Sequence, residues 1–159
     1  MCLKTNLNFL LDDADINQVS FLVLKETEKL LSKYNCNIFC ERCGNLPIKS
    51  MVPILNISEA WSSKGIGIAT SIKTALQLVK FPSLSYKIFY VWDMSWKNNE
   101  NFENVHKLFN DKELIVIARS EFHSAAFINN FERKPEYTAD NFENFELILQ
   151  KITAEHNKG

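Results

Sequence analysis

With 159 residues, 46% of them hydrophobic and 23% charged, the chain has the size and balance of one globular domain, able to bury roughly 70% of its unfolded surface without disulfides or metals. A net charge of −1 argues against broad, sequence-blind binding to nucleic acid or acidic membrane, which needs a basic excess. No apolar run approaches the roughly 20 residues of a membrane span, and Met1 to Leu11 lacks the basic start and long apolar core of a secretory leader, so a cytoplasmic location is expected.

The apolar run Leu7 to Leu11 reads as the first strand, ending in Asp12-Asp13-Ala14-Asp15. Asp15 with Gln18 has capping-box spacing, and Ile16, Val19, Val23, Leu30, Leu31 and Tyr34 recur at helical spacing, predicting a helix over 16–34. Asn37 to Glu41 is the second strand, broken by Gly44, Asn45 and Pro47. Val52 to Ile57 is a third apolar run, followed by Ser58-Glu59-Ala60-Trp61, and Ser62-Ser63-Lys64-Gly65 reads as an exposed loop. Gly65 to Ala69 is the fourth strand. Thr70 or Ser71 then caps a helix through Lys80, with Ile72, Ala75, Leu76 and Val79 inward, and Pro82 and Ser83 close it.

Tyr86 to Trp92 is the strongest strand, rich in aromatic and β-branched residues, and ends at Asp93. A short helix over Phe102 to Phe109, a strand over Leu114 to Ala118, a helix capped by Ser120 and running to Phe131, and a final helix over Asn141 to Lys151 complete the pattern. The last helix places Phe142, Phe145, Ile148 and Ile152 on one side, and a polar, frayed tail is expected from Thr153. Strands alternating with amphipathic helices predict an α/β fold: a single Rossmann-like three-layer domain over 1–152, with a mainly parallel sheet of about six strands and a tail over 153–159.

Two motifs point to cofactors and fail on placement. Cys36, Cys40 and Cys43 read C-x3-C-x2-C, an iron–sulfur spacing. Yet Cys36 and Cys40 flank Ile38 inside the second strand, where alternation puts all three on one buried face. With Cys2 they make four cysteines, and neither a metal site nor a disulfide is expected. Gly65-Ile66-Gly67-Ile68-Ala69-Thr70 imitates a dinucleotide fingerprint, but its glycines precede or lie in a strand instead of following the first one. No P-loop is present, and no cofactor is expected.

Ligands of open parallel sheets gather beyond the carboxyl ends of the strands. That rule selects Asp12-Asp13, Thr70-Ser71, Asp93 to Trp96 and Arg119 to His123. Thr70 and Ser71 open a helix and offer hydroxyls and free N–H groups to an anion, or serve as an ordinary cap. Asp93, between Trp92 and Trp96, is set to be a general base with a raised pKa, or else a turn-forming residue. Trp96 is placed to stack on a sugar or a base, or to cover the core edge. Ser120, Glu121 and His123 share the first turn of a helix, facing a ligand or simply capping it. Ser120 lacks the glycines of a nucleophile elbow, which argues against a Ser-His hydrolase. His106 and His156 are expected at the surface.

The stretch Lys87-Ile88-Phe89-Tyr90-Val91-Trp92-Asp93, then Leu114-Ile115-Val116-Ile117-Ala118-Arg119-Ser120-Glu121, resembles the N-terminal half of GT-B glycosyltransferases. There a strand ends in an aromatic-x-Asp turn and the next in a hydroxyl residue opening a helix; Gly67-Ile68-Ala69-Thr70-Ser71 resembles the preceding unit. Over roughly residues 5 to 150 the chain is also similar to glycosyltransferase-labelled proteins of large tailed phages of marine bacteria, through Ile57-Ser58-Glu59-Ala60-Trp61 and Phe89-Tyr90-Val91-Trp92-Asp93. The resemblance implies an acceptor-side domain with Asp93 as base and a nucleotide sugar as the donor substrate. The diphosphate-binding residues of the family's second domain have no counterpart here, so a second chain or a homodimer is implied. The alternative is a non-catalytic binding or assembly module working through a protein interface. The two readings part on Asp93: a pocket shared with Ser71 and Ser120 favours transfer, whereas an exposed patch of Trp61, Trp92 and Trp96 favours an interface.

Overall fold

The computed structural model describes residues 3–98 and 101–157. Its strands are β1 (Thr5–Ala14), β2 (Tyr34–Cys43), β3 (Ile54–Asn56), β4 (Gly65–Ala69), β5 (Leu84–Val91), β6 (Leu114–Ala118) and β7 (Tyr137–Thr138). Its helices are α1 (Gln18–Leu30), α2 (Ile72–Leu78), α3 (Phe102–Asn110), α4 (Glu121–Phe131) and α5 (Phe145–His156). The seven strands form one sheet in the order β3-β2-β1-β4-β5-β6-β7, with every neighbouring pair parallel. This is the expected Rossmann-like α/β architecture. The additional strand, β7, has only two residues, too few to announce itself by alternation.

The period of two along the strands sorts side chains onto two faces. Phe9, Ile38, Ile68, Ile88, Tyr90 and Ile117 point to the face covered by α1 and α5, through Val23, Leu24, Phe145 and Leu149. Leu10, Phe39, Ala69, Phe89, Val91 and Val116 point to the other face. There Ala75 and Leu78 of α2, Val105 and Phe109 of α3, and Phe127 and Phe131 of α4 cover them.

Several boundaries differ from the sequence expectation for identifiable reasons. Helix α1 stops at Leu30, where Lys33 N turns back onto Leu30 O, and Tyr34 starts β2. Tyr34 lies four residues after Leu30, which imitates helical spacing, but it shares its buried face with Cys36, Ile38 and Cys40 at strand spacing. Asn17, not Asp15, caps α1, accepting from Ser20 N at 2.8 Å, and Ile16 is exposed before the helix begins. Only Ile54–Asn56 of the third apolar run is strand; Ile57–Ser62 is a 3-10 helix capped by Asn56. Helix α2 ends at Leu78, short of Lys80. Asn141 and Phe142 precede α5 with φ of 46° and 64° in place of helical geometry. At the far end Thr153 is helical, its Oγ1 donating to Leu149 O at 3.1 Å, so α5 continues through the position where the sequence predicts the tail to start. The His156 side chain and Cys2 lie outside the described residues, and His106 is exposed.

The fingerprint-like glycines serve the sheet. A Cβ on Gly65, whose φ is +91°, would lie 2.3 Å from Asn6 O, and one on Gly67 would meet Leu78 and Leu84 side chains at 2.5 and 2.7 Å. The cysteines pack as expected for a strand: Cys36 and Cys40 are buried, Cys43 is exposed, and burial pushes the Cys36 thiol up to about 11. Among the described residues no group of three or more His, Cys, Asp or Glu side chains is placed to hold a metal ion. None of their helices is long and apolar enough to cross a membrane.

Beyond β6 the sheet is completed by side chains. Arg133 Nη1 donates to Phe109 O and Asp111 O, both at 2.9 Å, and its Nη2 donates to Leu114 O and to Glu136 Oε1. Glu136 Oε2 accepts from Val116 N at 2.7 Å, while Glu136 N donates to Val116 O at 2.9 Å. Together the two residues flank the stretch of β6 that the short β7 leaves unpaired.

Candidate functional site

After β1 the chain steps outward to β2 and β3, then returns to β4 on the opposite flank of β1. The carboxyl ends of β1 and β4 therefore diverge into the crevice where this topology holds ligands. A cavity of about 310 Å³ opens there, with Asp12, Asp13, Thr70, Ser71, Trp92 and Asp93 in its lining. A second, of about 530 Å³, shares Asp12 and Ser71 and extends along Lys73 and Ser95.

Ser71 is the joint between them. It leaves β4 extended (φ −136°, ψ 163°) and caps α2, its Oγ accepting from Thr74 N at 3.1 Å while Thr74 Oγ1 accepts from Ser71 N at 3.1 Å. Its hydroxyl donates to Asp12 Oδ1 at 2.9 Å. Asp12 is half-buried, and burial lifts its carboxyl above the ordinary range; the Ser71 hydrogen bond and the Lys73 charge pull the other way, while Asp13 and Glu41 add to the rise. No described residue donates a hydrogen bond to Asp12 Oδ2. Asp13 is held by Arg42 Nε at 3.0 Å, and Lys73 is paired with Glu41. Among the described residues no lysine or arginine lines the smaller cavity.

The residues selected from sequence fall into three groups. Ser71 and Asp93 are brought together on one cavity. Thr70 also borders it, but its side chain is buried and its Oγ1 donates to Leu10 O at 3.1 Å, so this hydroxyl stitches β4 to β1 instead of meeting a ligand. Asp93 is exposed, and its Oδ1 accepts from Ser95 N at 2.9 Å, the geometry of a turn-forming aspartate, with no described residue donating to Oδ2.

Trp96 departs from its expected role. It is 1% exposed, wedged between Phe109, Phe127 and Phe131, and its Nε1 has no hydrogen-bond partner among the described residues. The reason is the 3-10 turn Ser95–Asn98, which folds the ring back onto the aromatic face of the sheet. Trp92 is the tryptophan that walls the cavity. Arg119 lies 3.9 Å from the centroid of its ring and donates to its carbonyl at 3.4 Å.

Ser120, Glu121 and His123 form a separate group that lines neither cavity. Ser120 caps α4, and its Oγ lies 2.8 Å from His123 Nδ1 and accepts from His123 N at 3.3 Å. Glu121 is exposed in the first turn. Burial and the Arg119 charge lower the His123 pKa, against the opposing pull of Asp93 and Asp140.

Asp12 is the site residue that the sequence argument left unassigned. The strand-end rule had already selected its segment; what a linear pattern does not carry is that β1 borders β4, which sets Asp12 against Ser71. A separate groove of about 500 Å³ between α1 and α5 holds Glu26, Lys29, Lys33 and Glu146, whose charges are matched as Lys29–Glu26 and Lys33–Glu146 pairs. Comparison of the chain with family models, curated proteins and solved structures found no match.

Proposed function

We propose that the chain is a glycosyltransferase-like domain that supplies the acceptor side of a sugar transfer. The observation that carries this reading is the switch-point cavity, where Asp12, Ser71 and Asp93 meet beside Trp92 with no cation among the described lining residues. Two carboxylates, each with an oxygen that accepts no hydrogen bond from the described residues, suit a ligand that donates hydroxyl hydrogens, and an indole wall suits the apolar face of a sugar ring. In the reaction, an acceptor hydroxyl attacks the anomeric carbon of a nucleotide sugar. The bond from that carbon to the nucleotide's phosphate oxygen breaks, and Asp93, at the cavity mouth, takes the hydroxyl proton. The donor's diphosphate is held outside this cavity, by a second domain, a partner chain or a second copy.

The rival reading, a non-catalytic assembly module, draws on exposed Trp61 (56%) and Phe122 (68%). It is the weaker one because Trp61 packs edge-on against Phe81, while Trp92 and Trp96 are taken up by Arg119 and the core. No single apolar patch joins the three tryptophans.

The test is a thermal-shift screen of the purified chain against neutral sugars, nucleotide sugars and nucleoside diphosphates. Ligand at 100-fold above its Kd adds about 2.7 kcal/mol, a readily visible shift. A shift with sugars that Asp93→Asn and Ser71→Ala abolish supports the transfer reading. Silence with every compound turns the search to a protein partner.

A further inference from the structure

We infer that Asp12 is the specificity-determining residue of the switch-point cleft, selecting a hydroxyl-rich ligand without phosphate and rejecting a nucleotide. This inference rests on reading that cleft as the ligand site.

The argument begins with what the fold ordinarily does there. In doubly wound sheets the turn after the first strand lets a ligand phosphate approach a helix N-terminus, through glycines that keep the backbone close. Here β1 runs on to Ala14, and the link to α1 is Asp15, Ile16 and Asn17, with no glycine. Asn17 closes the α1 terminus by accepting from Ser20 N. On the other side of the crevice the start of α2 is closed by Ser71 and Thr74, and the Ser71 hydroxyl is turned onto the Asp12 carboxylate. A fixed negative charge thus stands where a phosphate oxygen would otherwise lie.

The surroundings reinforce the choice. Asp13 and Asp93 add two carboxylates to the same lining. Of the nearby cations, Lys73 is engaged on Glu41 and Arg42 on Asp13, while Arg119 stacks on the Trp92 ring and donates to the Trp92 carbonyl. An incoming diphosphate would bring like charge against Asp12 and Asp93, with no described lysine or arginine in the lining to offset it. A sugar hydroxyl donates instead to Asp12 Oδ2, which takes no hydrogen bond from the described residues, while Ser71 holds Oδ1 and fixes the plane of the carboxylate. Discrimination of this kind combines an attractive element with a repulsive one on a single side chain.

The experiment is an amide NMR titration of wild type and Asp12→Asn with two probes, methyl α-D-glucopyranoside and UDP. Asn keeps the Ser71 hydrogen bond and the side-chain shape while removing the charge, and an unchanged spectrum away from the cleft checks the fold. In wild type the glucoside moves the amides of Thr70, Ser71 and Trp92 saturably and UDP leaves them in place. In Asp12→Asn the glucoside weakens about tenfold, the loss of one charged hydrogen bond, and UDP binding at the same amides appears. UDP binding to wild type at these amides, or an Asn variant with unaltered preference, overturns the role of Asp12 while the cleft remains the ligand site. If neither probe moves these amides in either protein, the cleft reading and this inference fall together.

Discussion

The carboxyl ends of the strands divide into two halves that use similar residues differently. Where β1 and β4 part, Asp12, Asp13 and Ser71 border open space together with Asp93 from the turn after β5, and no described residue donates to Asp12 Oδ2. At β5, β6 and β7 the polar groups consume one another: Ser120 with His123, Arg119 with Trp92, and Tyr90, whose hydroxyl donates to Ala139 O at 2.6 Å and accepts from Phe142 N at 3.3 Å. The lesson is that residue type at a strand end does not make a site. What separates the halves is whether the next segment folds over the strand end. After β7 the turn Asp140–Phe142, with its left-handed residues, lays Phe142 on Tyr90 at a ring separation of 4.2 Å. After β1 the chain enters α1, whose cap and first residues, Asn17, Gln18 and Val19, border the cavity without covering it.

Breaking the closed half should have the largest effect. Trp96→Ala removes a fully buried indole from the cluster with Phe109, Phe127 and Phe131. It should cost about 3–5 kcal/mol, measured by urea unfolding, and a loss below about 1 kcal/mol would refute the core assignment. Next comes Tyr90→Phe, which leaves Ala139 O and Phe142 N without their buried partner. The expected loss is about 1–3 kcal/mol, with the amide of Phe142 exchanging faster. Burial pushes the Tyr90 hydroxyl up to about 12, so this contribution persists through neutral pH.

The smallest effect has the opposite sign and sharpens the contrast. Burial is the main reason the Asp12 carboxyl titrates above its ordinary value of 3.8. The folded state then binds more protons than the unfolded one across that window, so stability falls as pH rises through it. Asp12→Asn should therefore raise the neutral-pH Tm by roughly 1 °C, a few tenths of a kcal/mol after solvent screening. The gain should vanish at pH 3. An equal change at both pH values would mean that charge is not its cause. A side chain whose charge costs stability is a common mark of a site kept for use.

Much of the architecture was legible in the sequence, because strands β4 and β6 are short apolar blocks with sharp ends at Thr70 and Arg119. The capping roles of Ser71 and Ser120 were legible too, since they depend only on local spacing. Tyr34 misled because its distance from Leu30 satisfies a helix while its neighbours satisfy a strand. Trp96 misled because a 3-10 turn reverses the direction that an extended chain would give it. Asp12 escaped assignment because its meaning comes from Ser71, fifty-nine positions away along the chain.

The Arg133–Glu136 pair beside β6 has a consequence for the life of the protein in a crowded solution. A parallel strand with bare amides and carbonyls is a template on which another molecule can add its own strand. Here the guanidinium occupies Leu114 O, and Glu136 occupies both Val116 N and Val116 O. Two side chains and a single backbone residue thus act as a counterfeit strand, and the open flank of Leu114–Val116 is closed to self-association.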